Sequence, residues 1–167
     1  AEKYSAAAFA TKHEDAIYFS KRVTRAVPDG GPIEAHTDLV KKLDYECELA
    51  VVLGKDARDV PAGQTRDYIF GYTILNDVSA RDVQTAHKQW YFGKSLDGFT
   101  PIGPCIVTAD AFADYPPRLG IRSFVNGEKR QDSNTALQIF DIDHVIAELS
   151  QGMTLKAGTI IATGTPA

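Results

Sequence analysis

Short stretches of alternating hydrophobic and polar residues outnumber stretches with helical spacing along this chain. The clearest is "LDYECELAVVLGK", residues 43–55, where Tyr, Val and Leu dominate and Gly54 closes the run. That composition predicts a β-strand. Residues two apart in a strand share a face. Tyr45, Cys47, Leu49 and Val51 therefore fall on one side, and Glu46, Glu48, Ala50 and Val52 on the other. The far half is apolar on both faces, as in a buried strand. "AIYFSKRVTRAV" (16–27) mixes aromatic and β-branched residues with polar ones and is expected to be a strand or an extended segment. "FGYTILNDVS" (70–79), "CIVTADAF" (105–112) and "LGIRSFVNGEKRQDS" (119–133) supply further strands, with Asn126-Gly127 as a hairpin turn.

Helical spacing is rarer. In "IFDIDHVIAELSQGM" (139–153), Ile142, Val145, Ile146 and Leu149 recur at helical intervals, with Asp141 as a cap and Gly152 as a stop. Ser79 is expected to cap a helix over "ARDVQTAHKQW" (80–90), with Asp82 three residues on as its capping partner. The alanine-rich residues 1–11 and residues 64–68 read as short helices. "PDGGP" (28–32) is a turn, and "YFGKSLDGFTPIGP" (91–104) is an ordered loop without a period. "LKAGTIIATGTPA" (155–167) is a turn, a buried strand and a loop. The expected class is mainly β with short helices (α+β), in a single domain spanning residues 1–167.

Composition narrows the function. With 167 residues and 44% hydrophobic content, the chain can bury a real core and is not disordered. A net charge of −4 gives no excess of Lys and Arg with which to neutralise phosphates, so no nucleic-acid partner is expected. Two cysteines, Cys47 and Cys105, are too few for a disulfide scaffold and have no metal-ligand spacing. A reducing, cytoplasmic setting is expected. No run approaches the ~20 apolar residues of a membrane span.

The paired glutamates raise the chemical question. Two like charges on one strand face are either a solvated strand end or the ligands of a shared cation, because near a buried surface one would otherwise protonate. Asp77 lies at a strand-to-helix junction, where it is a turn residue or a third acid. Arg81 and Gln84, three apart, share a helix face, which is either solvated or functional. Lys94 sits among glycines and aromatics. "ATGTP" (162–166) offers backbone N–H groups and hydroxyls that suit a carboxylate, or it is a simple turn. Together these residues suit a hard divalent cation, Mg²⁺ or Mn²⁺ with Ca²⁺ possible, and a small anionic substrate. His36, His87 and His144 are scattered and are expected at the surface or in packing.

The motifs "LDYECELAVVLGK", "YIFGYTILNDVSARDVQ", "FGKSLDGFTPIGPCIVT", "VNGEKRQDSNT" and "LSQGMTLKAGTIIATGTP" closely resemble the fumarylacetoacetate hydrolase family, in order and spacing. The resemblance implies a mixed β-roll and a homodimer. It makes Glu46, Glu48 and Asp77 the metal ligands, and Arg81, Gln84 and Lys94 the substrate contacts. Thr165 would hold the substrate's carboxylate end. The implied reaction is carbon–carbon bond hydrolysis in an acylpyruvate-like β-diketo acid, of the kind met in aromatic catabolism. Oxaloacetate decarboxylation or tautomerisation, or isomerisation of a 2-hydroxy-dienedioate, is the alternative on the same site, and a non-catalytic metal-binding domain is a minor one. Two departures stand out. Many members carry a His–Glu pair in an N-terminal lid helix that activates water. Here Ala7 stands where the His is expected, and the adjacent His13 and Glu14 are the candidate replacement, so residues 1–27 read as an altered or incomplete lid. Members also continue beyond the "GTP" loop, so the C-terminal end of the family domain is expected to be missing.

Overall fold

The buried glutamate strand is the centre of the molecule. In the computed structural model, which describes residues 15–167, every residue of β2 (Cys47–Leu53) is buried. It lies inside a four-stranded antiparallel sheet of order β5-β3-β2-β8, with β3 at Ile69–Asn76, β5 at Ile102–Thr108 and β8 at Ile160–Ala162. The pairing of Cys47 with Asn76 sets where the acids fall. Antiparallel register sets the start of β2 against the end of β3, so Asp77 meets Glu46 across the sheet. The Asp77 amide donates to the Glu46 carbonyl at 2.9 Å.

One face of the sheet forms the main core. Leu49, Val51, Tyr72 and Ile161 pack with Ile142 and Ile146 of α3 (Ile142–Leu149). Burying each such side chain contributes about 1.5–3 kcal/mol. Asp141 caps α3 by accepting the His144 amide at 2.8 Å, and Gly152 follows at φ +68°, as expected from the sequence. A second cluster joins Val40, Val78, Ala80, Val83 and Phe99. Glu48 adjoins Leu49 of the first cluster and Asp77 adjoins Val78 of the second, so the two carboxylates are anchored to different cores. The hairpin β6 (Gly120–Val125) and β7 (Glu128–Asn134) turns at Asn126-Gly127, both at positive φ.

Several elements differ from the sequence reading. The glutamate strand is broken at Tyr45–Glu46, and Leu43–Asp44 form a separate short strand, β1, paired with β4 (Ser79–Ala80). Side chains replace the ladder at the break: Asp44 accepts the Tyr45 amide and Asn76 the Glu46 amide. Ser79 is not a helix cap. It belongs to β4 and its hydroxyl donates to the Asp77 carbonyl, while Asp82 accepts the amides of Lys41 and Lys42. The helix, α1, covers only Arg81–Ala86. Tyr91–Lys94, expected as loop, is a helical turn, α2. The 16–27 segment forms no ladder among the described residues, and Val27 makes an isolated bridge to Pro101. β8 is an edge strand with only Ile161 buried. The helix expected at residues 1–11 lies outside the described residues. No helix among the described residues is long and apolar enough to cross a membrane.

Candidate active site

Gly93 explains how Lys94 reaches the carboxylates. A Cβ at Gly93 would lie 2.6 Å from the Gln84 amide nitrogen and 2.8 Å from its Cα. Only glycine lets α2 approach α1 so closely. Lys94 is then carried inward and is 2% exposed. Its ammonium donates to Glu46 Oε2 at 2.7 Å and to Asp77 Oδ2 at 2.8 Å. Ligand oxygens of Glu46, Glu48 and Asp77 lie within 4.8 Å of one another. The strand break does not separate the two glutamates, because Glu46 turns in from just outside β2.

Other side chains fix this cluster from its rim. The Arg81 guanidinium spans Glu46 Oε1 at 2.6 Å, Asp44 Oδ2 at 2.8 Å and Gln84 Oε1 at 3.1 Å. Such forked pairing holds the arginine in one orientation. Lys21 donates to Asp77 Oδ1 at 2.6 Å and also to the Lys94 carbonyl. Glu48 Oε2 accepts the Gly164 amide at 2.7 Å. Thr165 donates to the Cys47 carbonyl at 3.0 Å and accepts from Gln131 Nε2 at 2.9 Å.

Burial dominates the electrostatics. It pushes the Glu48 carboxyl up to about 8, helped by neighbouring Asp77 and opposed by the Gly164 N–H. Burial likewise lowers Lys21, against the pull of Asp77. For Arg81, burial acts downward but Glu46 and Asp44 outweigh it, and the guanidinium is held more firmly protonated than usual. When all are ionised, Asp44, Glu46, Glu48 and Asp77 face Lys21, Arg81 and Lys94, one negative charge in excess. A divalent cation would reverse that sign. The donor set fits one: three buried, convergent carboxylates are hard oxygen ligands suited to Mg²⁺ or Mn²⁺.

Glu46, Glu48, Asp77, Arg81, Gln84, Lys94 and Thr165 all line a single cavity. His13 and Glu14 lie outside the described residues. His36 contacts the Asp97 carbonyl and Phe99, His87 meets Phe92 edge-on, and His144 stacks on Phe140. Sequence reasoning missed Lys21, Asp44 and Gln131. Lys21 had a faint signal, two residues after Phe19 in a segment of aromatic and polar residues. Gln131 had none, since it reaches Cys47 and Thr165 only through the packing of β7.

The fumarylacetoacetate (FAA) hydrolase C-terminal family model matches residues 2–167. The chain belongs to the fumarylacetoacetate hydrolase family. It is thus a member of a family of enzymes, with the mainly β fold of that family's C-terminal domain. It is 44% identical over 153 residues to the oxaloacetate tautomerase YisK of Bacillus subtilis, covering 92% of this chain and 50% of that protein. The solved fumarylacetoacetate hydrolase of Exiguobacterium antarcticum superposes with a TM-score of 0.78 at 51% identity, over 81% of this chain and 48% of the other. The fumarylpyruvate hydrolase of Pseudomonas aeruginosa, solved with Mn²⁺ and pyruvate, gives a TM-score of 0.76 at 31% identity, over 85% and 62%. The chain spans about half the length of the curated relatives it matches first.

Proposed function

We propose that this family member is a divalent-ion-dependent enzyme that works on a small 2-oxo acid through its enolate. The observation that carries the reading is the buried Lys94 ammonium bridging Glu46 and Asp77, with Glu48 beside them. Glu46, Glu48 and Asp77 would hold the ion. When bound, it would polarise the substrate's 2-oxo group and offset negative charge developing there. The chain's own groups do the rest. Lys94 and Arg81 present fixed positive charge where an enolate forms, and both are already oriented by ion pairs, so little reorganisation accompanies the reaction. Gln84 holds Arg81 from the side. The Thr165 loop, anchored through Gln131, would seat a substrate carboxylate once the Thr165 hydroxyl turns its proton from the Cys47 carbonyl to the ligand.

The first reading within this class is hydrolysis of a carbon–carbon bond in an acylpyruvate-like β-diketo acid, supported by the hydrolases among the similar structures. It needs a general base for water, and His13 with Glu14 is the pair proposed for that role. The second reading is keto–enol tautomerisation of oxaloacetate, supported by the likeness to the Bacillus enzyme. It requires proton movement at C3 and no water. Assays with Mg²⁺ on acetylpyruvate and on oxaloacetate separate them. Loss of acetylpyruvate hydrolysis but not tautomerisation in His13→Ala supports hydrolysis with that base. Tautomerisation alone in the unmutated protein favours the second reading. No metal-dependent turnover of either substrate overturns both. A homodimer in a cytoplasmic setting completes the proposal. Exposed Phe70, Ile74, Ile106 and Val107 on neighbouring strands β3 and β5 support the dimer.

A further inference from the structure

We infer that Phe19 and Trp90 form an apolar wall beside Lys94 that selects the tail of the substrate. This rests on the proposed seating of a 2-oxo acid head on the carboxylate–lysine cluster. The Phe19 ring stands with its centroid 5.4 Å from the Lys94 ammonium. It meets Trp90 edge-to-face, with centroids 5.3 Å apart and planes at 69°. Both rings line the cavity that holds Glu46, Glu48, Asp77 and Lys94.

The segment carrying Phe19 is pinned on either side of the ring. Tyr18 donates to Glu148 of α3, Lys21 donates to Asp77, and the Arg22 amide donates to Ser95 Oγ at 3.0 Å. Phe19 is thereby held in place, yet it remains 40% exposed. A large apolar side chain fixed at a cavity wall and left partly open is available for contact with a ligand. The contrast with its surroundings matters. The head of the site is built from Glu46, Glu48, Asp77, Arg81, Lys21 and Lys94, all ionisable. An anion seated on Lys94 would lie beside the Phe19 ring, which Trp90 meets edge-to-face. Carbons beyond the 2-oxo group would leave water against these rings, where an aryl or extended acyl tail gains edge contacts that a methyl group cannot make.

The test compares two ligands with the same head and different tails, pyruvate and phenylpyruvate, each titrated calorimetrically into the protein with Mg²⁺. Trp90 is the chain's single tryptophan, so its emission reports locally whether the tail arrives. The expected result is tighter binding of phenylpyruvate by about tenfold or more, a ratio in the range that apolar pockets achieve. Phe19→Ala should reduce that ratio by about tenfold, and Phe19→Leu, which keeps apolar bulk without the ring, by less. An unchanged ratio in Phe19→Ala, even if both ligands weaken, overturns the inference and leaves Phe19 as a shield for Lys94. Should Phe19→Ala fail to fold, Phe19→Leu decides, and an unchanged ratio there has the same meaning. If neither 2-oxo acid binds the unmutated protein, the proposed head-group seating fails and this inference falls with it.

Discussion

At the residue scale, Lys94 carries the most consequence. A buried ammonium between two carboxylates is stable only because opposite charges neutralise one another, and removing it leaves Glu46 to Arg81 alone and Asp77 to Lys21 alone. Lys94→Ala should lower kcat/KM by ~2–4 kcal/mol, or about 30- to 1,000-fold, as expected for loss of one preorganised charge-stabilising donor. Steady-state kinetics with saturating Mg²⁺ check this, and an unchanged kcat/KM would reduce Lys94 to a structural ion-pair partner. The glutamate pair was legible in the sequence because its clue is local. Glu46 and Glu48 are two residues apart in a run otherwise suited to a buried strand. Lys21 and Gln131 were not, because their partners lie 56 and 84 residues away. Lysine and glutamine at the surface read the same way in sequence as these two do in the site.

At the element scale, legibility followed the length and redundancy of the signal. α3 has a cap, an apolar stripe and a glycine stop that agree, and its bounds were close to expectation. α2 is a single turn of four residues, too short for any period to show. Ser79 looked like a cap because Ser before a helix often is one, but its backbone was already committed to β4 and its hydroxyl to Asp77. The close approach of α2 to α1 makes a specific demand. Gly93→Ala should place a methyl group against the Gln84 backbone, which cannot move aside as a side-chain tip could. The expected destabilisation is ~1–3 kcal/mol, the usual cost of overpacking, with activity falling further as Lys94 shifts. Thermal unfolding alongside kinetics tests this. Wild-type stability and activity in Gly93→Ala would mean that the two helices have slack between them.

At the scale of the whole molecule, the mainly β class came from the residue patterns, whereas the β-roll came from the resemblance. Alternating patterns announced strands, but strand order depends on which edges meet, and no local feature reports that. Only the register of β2 on β3 explains why residues 46, 48 and 77 converge. The same sheet leaves Phe70, Ile74, Ile106 and Val107 exposed. Light scattering should find twice the monomer mass of 18.2 kDa, and replacing Phe70 and Ile74 by Ser should shift the population toward monomer. A monomer at all accessible concentrations would remove the dimer from the proposal.

Glu46, Glu48 and Asp77 are proposed to share one divalent cation. Anomalous diffraction from crystals soaked in Mn²⁺ measures this directly. The expected result is one strong peak per chain with an oxygen of each of the three carboxylates at about 2.0–2.2 Å, and loss of the peak in Glu48→Gln, which removes charge without removing volume. A peak ligated by histidines, or no peak at the three acids in a crystal that binds Mn²⁺ elsewhere, would contradict it.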